Sequence, residues 1–138
     1  MPIYLVKGSV PVGAKRTEVV LSRFGMFDAS RAVLLLIQAK TWAPGAAGGY
    51  SFQPAIFNSD VADAVFGADA HLTDEPTLCW GEVVGSAVVN TKVYKGANQY
   101  NQFVPIVSSA DGKIWVYPAK ANAAEVETHF EIVLCTDP

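Results

Sequence analysis

The chain has 138 residues, a net charge of −3 and a 51% hydrophobic composition. Only 17% of it is charged, against about 25% in an average globular domain. One domain spanning 1–138 is expected, large enough to bury a core without disulfide or metal; the mild acidity argues against a nucleic-acid partner, and the longest apolar run, Ala32 to Ile37, is far shorter than the about 20 residues of a bilayer span.

The opening MPIYLVKGSV has no basic stretch before a long apolar one, and Lys7 interrupts it. It does not read as a signal peptide, so a chain made and kept in a cytoplasm is expected. Arg16 to Phe27 follows with period two: Thr17, Val19, Leu21 and Arg23 alternate with Glu18, Val20, Ser22 and Phe24. That pattern predicts one strand through the whole segment. Arg31 to Ala39 is short, apolar and bounded by turn-like residues, as a strand buried on both faces is.

Thr41 to Ser59 then runs for 19 residues without a charge, with four aromatics (Trp42, Tyr50, Phe52, Phe57) and three glycines. Connections this long tend to be functional or disordered, and aromatics argue against disorder. Aromatics among small residues without Lys or Glu compose either the core of an interface or a cover for one end of a sandwich. A mixed outcome puts Phe52 and Phe57 inside and Trp42 and Tyr50 at a partner. All four are the candidate partner-binding residues.

Asn58 to Ala68 carries the best helical signal, with Ser59 as cap, Asp60 and Asp63 near the N-terminal end, and Val61, Ala64 and Val65 as a stripe before Gly67. Between Lys40 and Lys92 there is no Lys or Arg, while Asp60, Asp63, Asp69, Asp74, Glu75 and Glu82 all fall there. That region is either a solvated acidic loop or a face for a basic partner. Thr77 to Tyr94 supplies one or two strands, with Gly85 a candidate bulge. Phe103 to Ser109 and Lys113 to Pro118 flank Asp111-Gly112, which predicts a hairpin. Pro118 to Glu125 is a candidate helical turn. Val126 to Cys135 alternates cleanly: Val126, Thr128, Phe130, Ile132 and Leu134 share one face, and Glu127, His129 and Glu131 the other. The sum is an all-β fold, a jelly-roll-like β-sandwich of about eight strands with one short helix, although an immunoglobulin-like sandwich gives nearly the same one-dimensional pattern.

The chemical inventory is thin. There are two histidines, His71 and His129, and no G-x-S-x-G, H-E-x-x-H or Walker A pattern. Glu127, His129 and Glu131 stand about 7 Å apart along one strand face, and read as a polar solvent face rather than a metal site. His71 sits in an acidic loop and reads as exposed. Cys79 and Cys135 lie in apolar strand-like runs and read as reduced, buried small hydrophobes. Glu82, the only charge near Cys79, would disfavour a thiolate there. No enzyme, metal or cofactor is expected. Trp80 and Trp115 lie in strand cores by pattern, which leaves Trp42 and Tyr50 for a sugar-stacking platform.

The start MPIYLVKGSVPVG, the strand RAVLLLIQAK and the closing VETHFEIVLC give the chain, over its full length, a resemblance to the jelly-roll capsid cement (decoration) proteins of tailed bacteriophages. The resemblance implies a structural virion protein on the outer capsid surface, made in the host cytoplasm. It would be a homodimer clamping neighbouring major capsid subunits, with no membrane or nucleic-acid contact. The alternative is a carbohydrate-binding jelly-roll module.

Overall fold

Apolar alternation builds two antiparallel sheets in a computed structural model that describes residues 3–26, 33–43, 54–60, 78–79, 97–100, 103–117 and 126–136. The strands are β1 (Ile3–Val10), β2 (Thr17–Val20), β3 (Val33–Trp42), β4 (Ala55–Phe57), β5 (Leu78–Cys79), β6 (Ala97–Tyr100), β7 (Val104–Val107), β8 (Lys113–Tyr117) and β9 (Thr128–Thr136). One sheet has the order β1-β9-β3, with β6 and β7 sharing the far edge of β3; the other has the order β2-β8-β4-β5.

The pairing is concentric: β1 with β9, β2 with β8, β3 with β7 and β6, β4 with β5. An antiparallel ribbon rolled onto itself gives this order, so the sandwich is a jelly roll. Its core lies between the sheets and draws Val6 and Val10 from β1, Leu34 and Leu36 from β3, Ile56 from β4, Ile114 and Val116 from β8, and Phe130, Ile132 and Leu134 from β9. Fully burying side chains of this kind contributes about 1.5–3 kcal/mol each. Phe57, Trp115 and Tyr117 form a second buried cluster with Ala55, on the opposite side of β4 and β8. Phe57 and Tyr117 meet edge-to-face there at 4.8 Å.

Two sequence expectations are corrected. The strand expected through Arg16 to Phe27 ends at Val20 and passes into a 3-10 turn, Leu21–Phe24. Gly25 closes that turn in the left-handed region, its N–H donating to the Ser22 carbonyl at 3.2 Å. Asp111-Gly112 does not make a hairpin. β7 and β8 belong to different sheets, and the turn from Ser109 to Gly112 carries the chain across the sandwich. Its signal was local and real: Gly112 has φ 70° and donates to the Ser109 carbonyl at 3.0 Å.

The 19-residue uncharged stretch is shorter as a connection than its composition suggests, because β3 extends to Trp42 and β4 takes Ala55–Phe57. Its centre with Tyr50 and Phe52, the helix expected over Asn58 to Ala68 beyond its first three residues, Gly85, His71, Trp80 and the Pro118 to Glu125 segment lie outside the described residues. Among the described residues no helix is long and apolar enough to cross a membrane.

Candidate interaction face

A β-bulge decides what the outer face of the five-stranded sheet displays. Opposite β9, Leu36 pairs with Leu134 and Gln38 with Val133, so Ile37 is an extra residue. Before the bulge the even positions Leu34 and Leu36 point into the core; after it the odd positions Ala39 and Thr41 do. Lys40 and Trp42 are thereby turned outward.

Cross-strand register then sorts the outer face into rows. The first row crosses four strands, Ile3–Cys135–Leu35–Pro105, and holds no charge. The second holds Leu5, Val133 and Gln38. At the margins, Val107 of β7 and Phe103, which immediately precedes β7, add further apolar side chains. Several of these are open to solvent: Ile3 is 65% exposed, Leu5 46%, Phe103 70% and Val107 38%. Between the β1 and β7 edges Leu35 and Val133 are half-buried and Cys135 is buried; single exposed apolar residues are normal, and it is their gathering on one side of the sheet that makes this face a candidate.

The third row is charged: Lys7 opposite Glu131 opposite Lys40. Lys7 Nζ lies 3.8 Å from Glu131 Oε2. The fourth row sets Ser9 beside His129 beside Trp42. The His129 and Trp42 rings stack at 5.6 Å between centroids, and Lys40 Nζ sits 5.1 Å from the Trp42 centroid. Such contacts contribute about 0.5–1 kcal/mol each at partly exposed sites.

The expected site residues are therefore dispersed. Trp42 is half-buried on the outer face, engaged by His129 and Lys40. Phe57, also expected at a partner, is 2% exposed and packed within the chain. Tyr50 and Phe52 lie outside the described residues. His129 and Glu131 share the outer face of β9 as expected, while Glu127 precedes the strand and is exposed; His129 turns to Trp42 and Glu131 to Lys7. Among the described residues no three His, Cys, Asp or Glu side chains gather as a metal-holding group. Cys135 carries a free thiol and is buried.

Composition drew attention to the uncharged loop and passed over the residues that make the exposed face. Ile3, Leu5, Phe103 and Val107 look like ordinary strand residues in one dimension. The usable signal was parity: Ile3 and Leu5 on β1, and Pro105 and Val107 on β7, are apolar at odd positions although the even positions Val6, Val10 and Ile106 already fill the core.

At the opposite end of the sandwich, Arg16 Nε pairs with Asp60 Oδ1, and Arg16 Nη2 donates to Asp60 Oδ2 at 3.4 Å. This fork ties the β1–β2 connection to the exit of β4. The tip of that connection, Pro11 to Ala14, is a turn closed by Ala14 N–H on the Pro11 carbonyl at 3.1 Å, and it leaves Val12 66% exposed.

No protein-family model and no curated protein matches the chain.

Proposed function

We propose that the chain is a structural binding protein of the virion, a capsid cement protein that sits on the outer surface of a tailed-phage shell and clamps neighbouring major capsid subunits. The observation that carries this reading is the set of exposed apolar side chains Ile3, Leu5, Phe103 and Val107 on the outer side of one sheet, joined by an uncharged row in which Cys135 itself is buried. Apolar side chains spread over the outer side of a sheet suit broad contact with another folded surface, whereas small ligands favour concave sites. The low charge of the chain and its resemblance to jelly-roll cement proteins point the same way. Clamping would be multivalent: modest contacts to several subunits combine through effective concentration, and a ligand that binds only the mature shell makes that shell harder to open.

The test is co-sedimentation with expanded tailed-phage capsids stripped of their decoration protein. Saturable binding by the parent chain is expected, with loss of at least tenfold in affinity for Phe103→Asp combined with Val107→Asp and no change in unfolding midpoint. Absence of binding, together with a tryptophan fluorescence response to oligosaccharides, would replace this reading by the carbohydrate-binding one.

A further inference from the structure

We propose that β1 is a self-pairing edge: two copies of this chain join β1 to β1 in antiparallel register about a two-fold axis at Leu5, making one continuous sheet. The inference takes the self-association in the proposed function and assigns it a surface.

Among the described residues β1 is the terminal strand of its sheet, paired with β9 on one side only. In a paired edge strand, alternate residues aim their N–H and C=O at the neighbour, and the others aim them at the open side. Two observations fix which are which. Thr17 Oγ1 on β2 donates to the Ser9 carbonyl at 2.8 Å, so that carbonyl points away from β9. At the far edge, Pro105 stands opposite Leu35 and has no N–H to give it. Outward-facing residues of β7 therefore aim their main-chain groups at the open side. β1 lies at the other edge and runs opposite to β7, since three antiparallel pairings separate them. A half-turn about the sheet normal superposes the two edges, so the outward-facing residues of β1 obey the same rule. Ile3, Leu5, Lys7 and Ser9 thus carry the open groups, and Thr17 has already taken the Ser9 carbonyl.

The devices that normally protect an edge are weak here. β1 is eight residues long with no proline or bulge between Ile3 and Val10. Its one charge, Lys7, faces Glu131 on its own sheet. Its outward side chains Ile3 and Leu5 are exposed.

A second copy fits this edge in one register better than in the others. Centred on Leu5, the pairs are Leu5 with Leu5, Ile3 with Lys7 and Lys7 with Ile3, which satisfies all the open groups of Ile3, Leu5 and Lys7. Centred on Lys7, two like charges stand directly opposite, which is destabilising, and Leu5 must pair with the already occupied Ser9. Centred on Ile3, the positions opposite Leu5 and Lys7 fall before the first residue of β1. The favoured register also separates the two lysines by four residues, about 14 Å along the strands.

The experiment is disulfide trapping on the full chain under a mild oxidant. Directly opposed hydrogen-bonded residues have Cα atoms about 5.5 Å apart, inside the range a disulfide spans. In a Cys135→Ser background, which removes the thiol directly opposite Ile3 on the same chain, Leu5→Cys is expected to cross-link to a second copy at least tenfold faster than Ile3→Cys or Lys7→Cys. Ile3→Cys with Lys7→Cys in one chain is expected to cross-link where neither single variant does. Leu5→Pro, which removes an open N–H and no β1–β9 bond, is expected to lower the dimer fraction in light scattering while leaving the monomer's β circular-dichroism spectrum unchanged, and to make the unfolding midpoint independent of protein concentration. A parent dimer in which Leu5→Cys cross-links no faster than Ile3→Cys overturns the β1 interface and leaves self-association standing. A parent that stays monomeric over a tenfold concentration range overturns both, while capsid co-sedimentation still reports separately on the cement role.

Discussion

Gly8 lies opposite Phe130 in the β1–β9 ladder, and its missing side chain is what lets the Phe130 ring cross β1. A Cβ built at Gly8 would stand 2.5 Å from Phe130 Cζ, 3.0 Å from Cε1 and 3.2 Å from Cε2. The ring cannot swing into solvent to make room, because Phe130 is 1% exposed and held in the main core. β1 cannot shift easily either, because it is laddered to β9 over eight residue pairs. Gly8→Ala therefore overpacks the core, at a cost of about 1–3 kcal/mol. Against that stands the entropy recovered when a strand glycine becomes alanine, about 0.5–1 kcal/mol. The net expectation in the parent is destabilisation of about 0.5–2 kcal/mol, a fall in midpoint of roughly 4 °C per kcal/mol for a domain of this size. The decisive measurement is a double-mutant cycle in urea with Phe130→Leu, which removes the atoms Cβ would strike. In that background Gly8→Ala should become neutral or stabilising, so the sign of the effect reverses. The coupling energy should reach about 1–3 kcal/mol. Additivity to within about 0.5 kcal/mol, or a stabilised Gly8→Ala in the parent, would show that the Phe130 ring does not set the requirement for glycine.

Two further substitutions probe groups that the fold holds at a cost. Thr41 is fully buried, and its hydroxyl has no hydrogen-bond partner among the described residues. Thr41→Val keeps the shape and removes the orphaned hydroxyl, so a gain of about 1 kcal/mol is expected by urea unfolding, with Thr41→Ser, which keeps the hydroxyl and opens a void, less stable than the parent. Gly112, at φ 70°, turns the chain between the two sheets, and Gly112→Ala should cost about 1 kcal/mol and Gly112→Val more, because a branched side chain tolerates that conformation least. Equal stabilities for the alanine and valine variants would mean the turn relaxes out of the left-handed region.

How much of this was legible depends on whether the deciding physics is local. The face assignment of β9 was readable because its alternation is unbroken: Thr128, Phe130, Ile132 and Leu134 are all buried, and Glu127, His129 and Glu131 are not. The positive φ of Gly112 was likewise implied by Asp-Gly, a local preference. Whether the strands on either side of that turn then pair is not local. In a rolled ribbon β7 is claimed by β3 and β8 by β2 and β4, so a turn with hairpin chemistry serves as a crossing between sheets. β3 shows the same limit in another form. Strict period two over Leu34, Leu36, Gln38, Lys40 and Trp42 would drive a lysine into the core, and the extra residue Ile37 prevents it by switching parity against β9. Nothing in LLLIQAK marks the position of that bulge, because it is set by the partner strand. The exposed face is illegible for a related reason. An outward Ile3 or Leu5 is indistinguishable from a core residue until it is known which face of β1 the second sheet covers. Once that is known, the same two residues change meaning, from ordinary strand formers to unprotected apolar surface beside an open ladder. What marks this face is therefore topological: it comes into being when the ribbon closes, on the side of strands β1, β3 and β9 that faces away from the core those same strands fill.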